Sequence, residues 1–250
     1  TAGFTASTSA TCLLSTINFT DTSSTDGIHP IVQWTWNYGD GIIETVTSGP
    51  FQHNYASPGL YTVSLIVMDS NGCIDSTTSS TQLTISRPVA NFTAQTLSCP
   101  GTNVQFLNSS TGPGLIYRWY FGDGSFSINA NPVHAYAADG VYSVKLVIYD
   151  QYGCSDSITR ANYVTIVSPV ADFTVSDSVG TCPPLIVNFT NTSLHYTSFN
   201  WDFGDGTTSP SANPSHFYNI PGTYYAVLTI TGPGGCTATK QQKITVRGPY

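Results

Sequence analysis

The sequence predicts an all-β protein made of three tandem copies of one two-sheet sandwich. Three observations predict it: a hexapeptide that recurs three times, period-two apolar alternation on either side of it, and two cysteines in every copy.

Repeats are sought first, because a missed period misplaces every later assignment. Trp36-Asn37-Tyr38-Gly39-Asp40-Gly41, Trp119-Tyr120-Phe121-Gly122-Asp123-Gly124 and Trp201-Asp202-Phe203-Gly204-Asp205-Gly206 are one motif. Downstream stand Pro58-Gly59-Leu60-Tyr61, Asp139-Gly140-Val141-Tyr142 and Pro221-Gly222-Thr223-Tyr224. Upstream stand Ile17-Asn18-Phe19, Val104-Gln105-Phe106 and Val187-Asn188-Phe189. The register sets the domains at 1–87, 88–168 and 169–250. Pro249-Tyr250 aligns with the opening of a further unit, and Thr1 with Val89 and Val170, so the chain is read as an excerpt from a longer array. The junctions are short: Leu83-Thr84-Ile85 reaches the next unit through Ser86-Arg87-Pro88. Proline fixes φ and cannot extend a ladder, so a semi-rigid rod is expected.

Each copy reads as strands. Tyr61, Val63, Leu65 and Val67 alternate with Thr62, Ser64, Ile66 and Met68. The later copies give Tyr142, Val144, Leu146, Ile148 and Tyr224, Ala226, Leu228, Ile230. That is the period of a strand with one buried face. The strand before each Gly-Asp-Gly carries an aromatic stripe: Trp34, Trp36, Tyr38; Tyr117, Trp119, Phe121; Phe199, Trp201, Phe203. Gly39-Asp40-Gly41 and its equivalents are turns, with Gly supplying positive φ and Asp40, Asp123 and Asp205 bonding nearby amides. No segment keeps a 3.6-residue period over helix length. About seven short strands per copy, punctuated by turns, predict an immunoglobulin-like sandwich.

These motifs resemble the PKD (polycystic kidney disease) domain family. The resemblance rests on the W-x-F-G-D-G element, the following His53-Asn54-Tyr55, His134-Ala135-Tyr136 and His216-Phe217-Tyr218, and the Gly-x-Tyr strand starts. It covers essentially the whole chain and implies extracellular spacer or adhesion modules of cell-surface proteins and secreted hydrolases. The Asn71-Gly72-Cys73 hairpin and paired cysteines are similar to repeats of Bacteroidetes-type exported proteins.

The six cysteines fall two per copy: Cys12/Cys73, Cys99/Cys154 and Cys182/Cys236. Pairing within each copy is the simplest of the 15 arrangements six cysteines allow, and places a staple at one pole of each sandwich. Disulfides require an oxidising compartment, so the chain is expected outside the cell or on its surface. Metal ligation is the rival reading, but no Cys-x-x-Cys or Cys/His cluster supports it.

Composition excludes several classes. Charged residues are 8% of the chain, against roughly 25% in ordinary soluble proteins, and the formal charge is −7 with seven Lys and Arg. Clustered cations for nucleic acid or a membrane surface are lacking, and no apolar run is long enough to span a bilayer. Asp40, Asp123, Asp205 and His53, His134, His216 recur in every copy, which favours fold over catalysis. A Ca²⁺ role for the Asp groups would need six to eight converging oxygens. No nucleophile elbow, zincin motif or phosphate loop appears, so neither an enzyme nor a cofactor is expected.

Asn18, Asn91, Asn108, Asn188 and Asn191 head N-glycosylation tripeptides. Ser76, Ser157 and Ser178 follow Asp in triplets resembling a bacterial O-glycosylation pattern. Off-register aromatics (Tyr120, Phe126, Tyr149, Tyr152, Tyr163, Tyr196, Tyr225) could stack on sugars, make contacts, or be ordinary β-surface. The leading functional reading is a structural or adhesive array, part of a large surface adhesin or filament subunit. Its partners would be further copies, surface proteins or glycans. The alternative is a polysaccharide-binding or spacer module of a secreted hydrolase.

Overall fold

The structure is a computed structural model that describes residues 1–248. Pro249 and Tyr250, read above as the opening of a further unit, lie outside the described residues.

The third repeat shows the plan most fully. In Leu185–Asn191 the residues Val187 and Phe189 are buried, while Ile186, Asn188 and Thr190 face solvent, as the alternation demands. This strand is the centre of an antiparallel sheet flanked by Phe173–Val175 and Ser215–Tyr218. The second sheet runs in the order Val179–Gly180, Thr237–Val246, Gly222–Thr231, Ser198–Asp202, Thr208–Ser209. Ala226, Leu228 and Ile230 line its inner face. The leading segment is shared: it leaves the first sheet after Val175 and joins the second at Val179–Gly180. There it runs parallel to the end of the last strand, with Gly180 opposite Val246.

The second repeat follows the same plan. Phe92–Ala94, Asn103–Asn108 and Val133–Ala135 form one sheet; Leu97–Ser98, Ser155–Ile166, Gly140–Tyr149, Ile116–Tyr120 and Phe126–Ser127 form the other.

In the first repeat the three-stranded sheet is Phe4–Ala6, Ile17–Asp21 and Phe51–His53, but the second layer is divided. Ile43–Val46, Ile31–Asn37, Ser64–Asp69 and Ile74–Thr78 make one part; Ala10–Cys12, Leu83–Ser86 and Gly59–Tyr61 make the other. The unbroken strand expected from Tyr61 to Val67 is therefore interrupted. The register shifts there: Ser64 faces Thr78 but Tyr61 faces Leu83, so four residues, 79–82, stand opposite Thr62 and Val63. Within this bulge the Ser79 Oγ accepts from the Val63 amide at 3.2 Å, and the Ser79 amide donates to the Val63 carbonyl at 2.8 Å.

Aromatics fill the cores. Trp36, Trp119 and Trp201 are fully buried, each side chain contributing about 4–6 kcal/mol by area. Phe4, Phe92 and Phe173 meet them edge-on at 5.1, 5.0 and 4.9 Å between ring centroids, the geometry favoured by ring quadrupoles.

By backbone contacts the chain divides into two compact units, and the second repeat contributes to both. One is Thr1–Asn91 with Ser109–Arg118 and Leu146–Ile158; the other is Phe92–Asn108 with Trp119–Lys145 and the described residues from Thr159 onward. Each unit contains one disulfide. Among the described residues no helix is long and apolar enough to cross a membrane.

Candidate functional site

Two constellations recur and carry the titratable and sulfur chemistry of the chain: the Gly-Asp-Gly turn with its histidine, and the cysteine hairpins.

The turn begins where the aromatic stripe ends. Gly122 has φ +91°, and a Cβ there would stand 2.6 Å from the Ser143 carbonyl oxygen; Gly39 and Gly204 are in the same position. Only glycine combines that dihedral with that approach. The following aspartate uses both oxygens. Oδ1 of Asp40, Asp123 and Asp205 accepts from the amides of Ile42, Ser125 and Thr207 at 3.0 Å. Oδ2 lies 2.7 Å from Nε2 of His53, His134 and His216. Each imidazole stacks on the aromatic before the turn, Tyr38, Phe121 or Phe203, at 4.0, 4.3 and 4.1 Å. The next tyrosine, Tyr55, Tyr136 or Tyr218, donates its hydroxyl to the carbonyl of that same aromatic.

The electrostatics follow from this geometry. Burial works to raise the Asp123 pKa, but the Ser125 hydroxyl and amide and His134 outweigh it and hold the carboxyl below its usual range. Thr207 and His216 do the same for Asp205 against the same burial. Burial first, and the neighbouring Asp charge second, push the Tyr55, Tyr136 and Tyr218 hydroxyls well above their ordinary pKa.

Ser125, His134 and Asp123 bring together the residue types of a hydrolytic triad, but in another arrangement. Ser125 Oγ and Asp123 Oδ2 both approach Nε2, at 3.2 and 2.7 Å. A proton relay needs nucleophile and carboxylate on opposite ring nitrogens. The hydroxyl is also held by Asp123 Oδ1 at 2.5 Å, so the cluster clamps a turn. Among the described residues no group of three or more His, Cys, Asp or Glu side chains could hold a metal ion.

The cysteine pairing differs from the sequence expectation. Cys12 bonds Cys154 and Cys99 bonds Cys236, with Cα–Cα distances of 5.4 and 6.3 Å, while Cys73 and Cys182 are free and exposed. Each bridge joins the leading cysteine of one repeat to the hairpin cysteine of the next. Pairing within a repeat fails on geometry. In the third repeat Gly180 lies opposite Val246 at one end of the ten-residue last strand, and Cys236 precedes Thr237 at the other. That strand spans about 30 Å, whereas a disulfide needs Cα atoms within about 7 Å.

The junctions have partners that the sequence reading missed. Asp150, buried, receives the amides of Tyr152 and Cys154 on Oδ1 and the Ser86 hydroxyl on Oδ2. In the other unit the equivalent position is Gly232, and close packing replaces the hydrogen bond: a Cβ on Gly234 would lie 2.5 Å from Ser98 Oγ. The recurring Asp-x-x-Gly-Cys of Asp69–Cys73 and Asp150–Cys154 was the available signal.

The modification candidates are spread over the surface. Asn18, Asn91 and Asn188 are exposed and Asn108 half-buried, as are Ser76 and Ser157 (exposed) and Ser178 (half-buried). Asn191 is a correction: its Nδ2, the atom a glycan would take, is buried. Asp75 and Asp156, within the O-glycosylation triplets, accept from the Ala2 and Ala90 amides and so anchor leading segments. Of the off-register aromatics, Tyr163 is tucked against Phe92 and receives the Ala94 amide. Tyr120 and Phe126 are cross-strand partners, 40% and 62% exposed.

The fold and these constellations define a non-helical array of immunoglobulin-like sandwiches, each locked by an Asp–His–aromatic turn. The PKD domain matches at residues 2–85, 86–166 and 167–246, and the chain belongs to that family. It is 48% identical to collagenase ColA of Bacillus cereus over 50 residues, 20% of this chain and 5% of the collagenase. It is 35% identical to the pre-pro-metalloprotease PrtV of Vibrio cholerae over 106 residues, 40% of this chain and 11% of PrtV. The crystal structure of the PKD1 domain of PrtV is matched at 36% identity, a TM-score of 0.29, 32% of this chain and 99% of that one. The chain thus spans a small fraction of the length of these curated relatives.

Proposed function

We propose that the chain is a non-catalytic, extracellular structural or adhesive array, a segment of a large surface adhesin or filament subunit. The observation that carries this reading is the Cys12–Cys154 and Cys99–Cys236 pairing, which ties consecutive repeats covalently. A module that only separates a catalytic domain from its surroundings has no need of such ties, whereas an array under tension gains from them. The disulfides also favour an oxidising location, and the hairpin cysteines favour an origin among Bacteroidetes-type surface proteins. Its partners are further copies, surface proteins or glycans, with no nucleic acid and no membrane insertion.

Pulling single molecules by their ends tests the reading. The oxidised chain can go taut only from Thr1 to Cys12, across to Cys154, back to Cys99, across to Cys236 and on to the end. Its limit is roughly 280 Å, against roughly 850 Å for the reduced chain, at ~3.4 Å per residue. Equal lengths in both states would remove the basis for an array built to bear load.

The exposed Tyr120–Phe126 pair and the protease and collagenase relatives favour a second reading, a polysaccharide-binding or spacer module of a secreted hydrolase. Retention on an insoluble polysaccharide that is lost in Tyr120→Ala/Phe126→Ala would support binding; no retention of the parent chain would exclude it.

A further inference from the structure

The bonding rule joins each leading cysteine to the hairpin cysteine of the following repeat, and it leaves one cysteine of each kind unused. We propose that Cys73 and Cys182 are the open halves of the same staple, each taking the complementary cysteine of an adjoining PKD repeat. Cys73 would bond a leading cysteine, and Cys182 a hairpin cysteine.

Cys73 sits in a copy of the turn in which Cys154 is already bonded. Asp69 Oδ1 accepts from the Asn71 and Cys73 amides at 2.9 Å, as Asp150 Oδ1 accepts from Tyr152 and Cys154 at 2.9 Å. The Asp69 amide donates to the Cys73 carbonyl at 3.0 Å, as Asp150 does to Cys154 at 2.8 Å. Gly72 and Gly153 both have φ +82°. Asp69 Oδ2, the atom that in Asp150 takes a hydroxyl from the preceding repeat, has no partner among the described residues. The hairpin therefore presents both a thiol and an acceptor for a neighbouring repeat.

Cys182 occupies the leading position. It comes after Val179–Gly180, which lies parallel to the last strand, with Thr181 inserted between, whereas Cys99 directly follows Leu97–Ser98. It precedes Leu185–Asn191 as Cys99 precedes Asn103–Asn108 and Cys12 precedes Ile17–Asp21. Neither thiol can satisfy itself within its own repeat, since the last strand separates the two positions.

The chemistry is thiol–disulfide exchange. Two thiols lose two protons and two electrons to a disulfide oxidant, such as oxidised glutathione, which becomes two thiols as the Cys–Cys bond forms. The complementary cysteine can come from a repeat of the same polypeptide or from a second copy of the chain. The inference stands whether the array spaces a hydrolase or forms a fibre.

The test is to refold the 250-residue chain and its Cys73→Ser and Cys182→Ser variants in a glutathione redox buffer. Products are separated without reductant and the bonds mapped by mass spectrometry. The parent should give a ladder carrying Cys182–Cys73 links beside the two observed bridges. Each variant alone should lose the ladder and stay monomeric, and their mixture should give one heterodimer. Homodimers of each variant as abundant as the mixed product would overturn the proposal, as would complete alkylation of both thiols without any cross-link. Mapping the protein as exported then separates the sources. A Cys182 bond within one polypeptide keeps the mass of a single chain and means a tandem repeat; a ladder means a second copy.

Discussion

Ser86 donates its hydroxyl to Asp150 Oδ2 at 2.5 Å, with both side chains buried where the first repeat ends and the hairpin of the second arrives. Asp150 is thereby shared: one oxygen shapes the turn carrying Cys154, and the other receives the preceding repeat. The hydrogen bond and the Cys12–Cys154 bridge act on the same hairpin. Ser86→Ala leaves a buried carboxylate oxygen unpaired and should cost about 2 kcal/mol. Urea denaturation of the oxidised chain would read it as a lowered midpoint at unchanged slope. Val167 and Gly232 replace this pair in the other unit, so Val167→Ser should not produce the converse gain.

Within one turn, two glycines should respond differently to alanine. At Gly122 the new Cβ would meet the Ser143 carbonyl at 2.6 Å, and backbone there cannot give without shifting a central strand. At Gly124 φ is +92° but nothing lies within 4 Å. Gly122→Ala should therefore cost about 3 kcal/mol or more, and Gly124→Ala about 1–2 kcal/mol for the dihedral alone. Thermal unfolding of the two variants side by side checks the order, and a reversal would place the strain elsewhere.

The depressed Asp123 and Asp205 pKa values and the raised Tyr values bound the stable pH range from both sides. A carboxyl held below its unfolded value near 3.9 stabilises the fold above that pH, and the contribution disappears as pH falls through the folded value. A tyrosine held above its unfolded value near 10 costs nothing below that pH. Stability then falls as pH rises, because only the unfolded chain can ionise it. Denaturation midpoints should drop below pH ~4, less steeply in Asp123→Asn, and again above pH ~10. Absorbance of tyrosinate should show Tyr55, Tyr136 and Tyr218 titrating together with unfolding.

Most of the fold was legible because the repeat supplied three independent readings of every position. The Trp119–Phe121 stripe, the Gly-Asp-Gly turn and the Val187/Phe189 alternation each depend on local periods that a sequence displays directly. The break at Val63 did not show, since it depends on a two-residue bulge in the partner strand between Thr78 and Leu83, where the Ser79 hydroxyl reaches across to the Val63 amide. The disulfide pairing was misread for a related reason. The spacing Cys12→Phe19 and Tyr61→Cys73 fixes each cysteine within its repeat, but not which end of the sandwich it occupies. The parallel pairing of the leading segment with the last strand decides that, and such pairing leaves no period in the sequence. The Asp–His contact lay between these cases: both residues were visible as recurrent, and their meeting depended on how the strand at Val133–Ala135 faces the turn.

The bridge in the second unit offers the sharpest test of how the repeats share stability. Cys99 and Cys236 close 137 residues, so on the chain-entropy account their bond restricts the unfolded chain by about 5 kcal/mol. Cys99 is fully buried and Cys236 half-buried, which makes alanine the replacement that leaves fewest polar atoms behind. Cys99→Ala/Cys236→Ala should lower the denaturation midpoint substantially while keeping the native near-ultraviolet signature of Trp119 and Trp201, whose rings are held edge-on by Phe92 and Phe173 in the sandwich cores. Reductant should then lower the variant further, through Cys12–Cys154, and lower the parent by more than the variant. A parent whose midpoint ignores reductant would mean that the bridges form without coupling the repeats, and that each sandwich carries its stability alone.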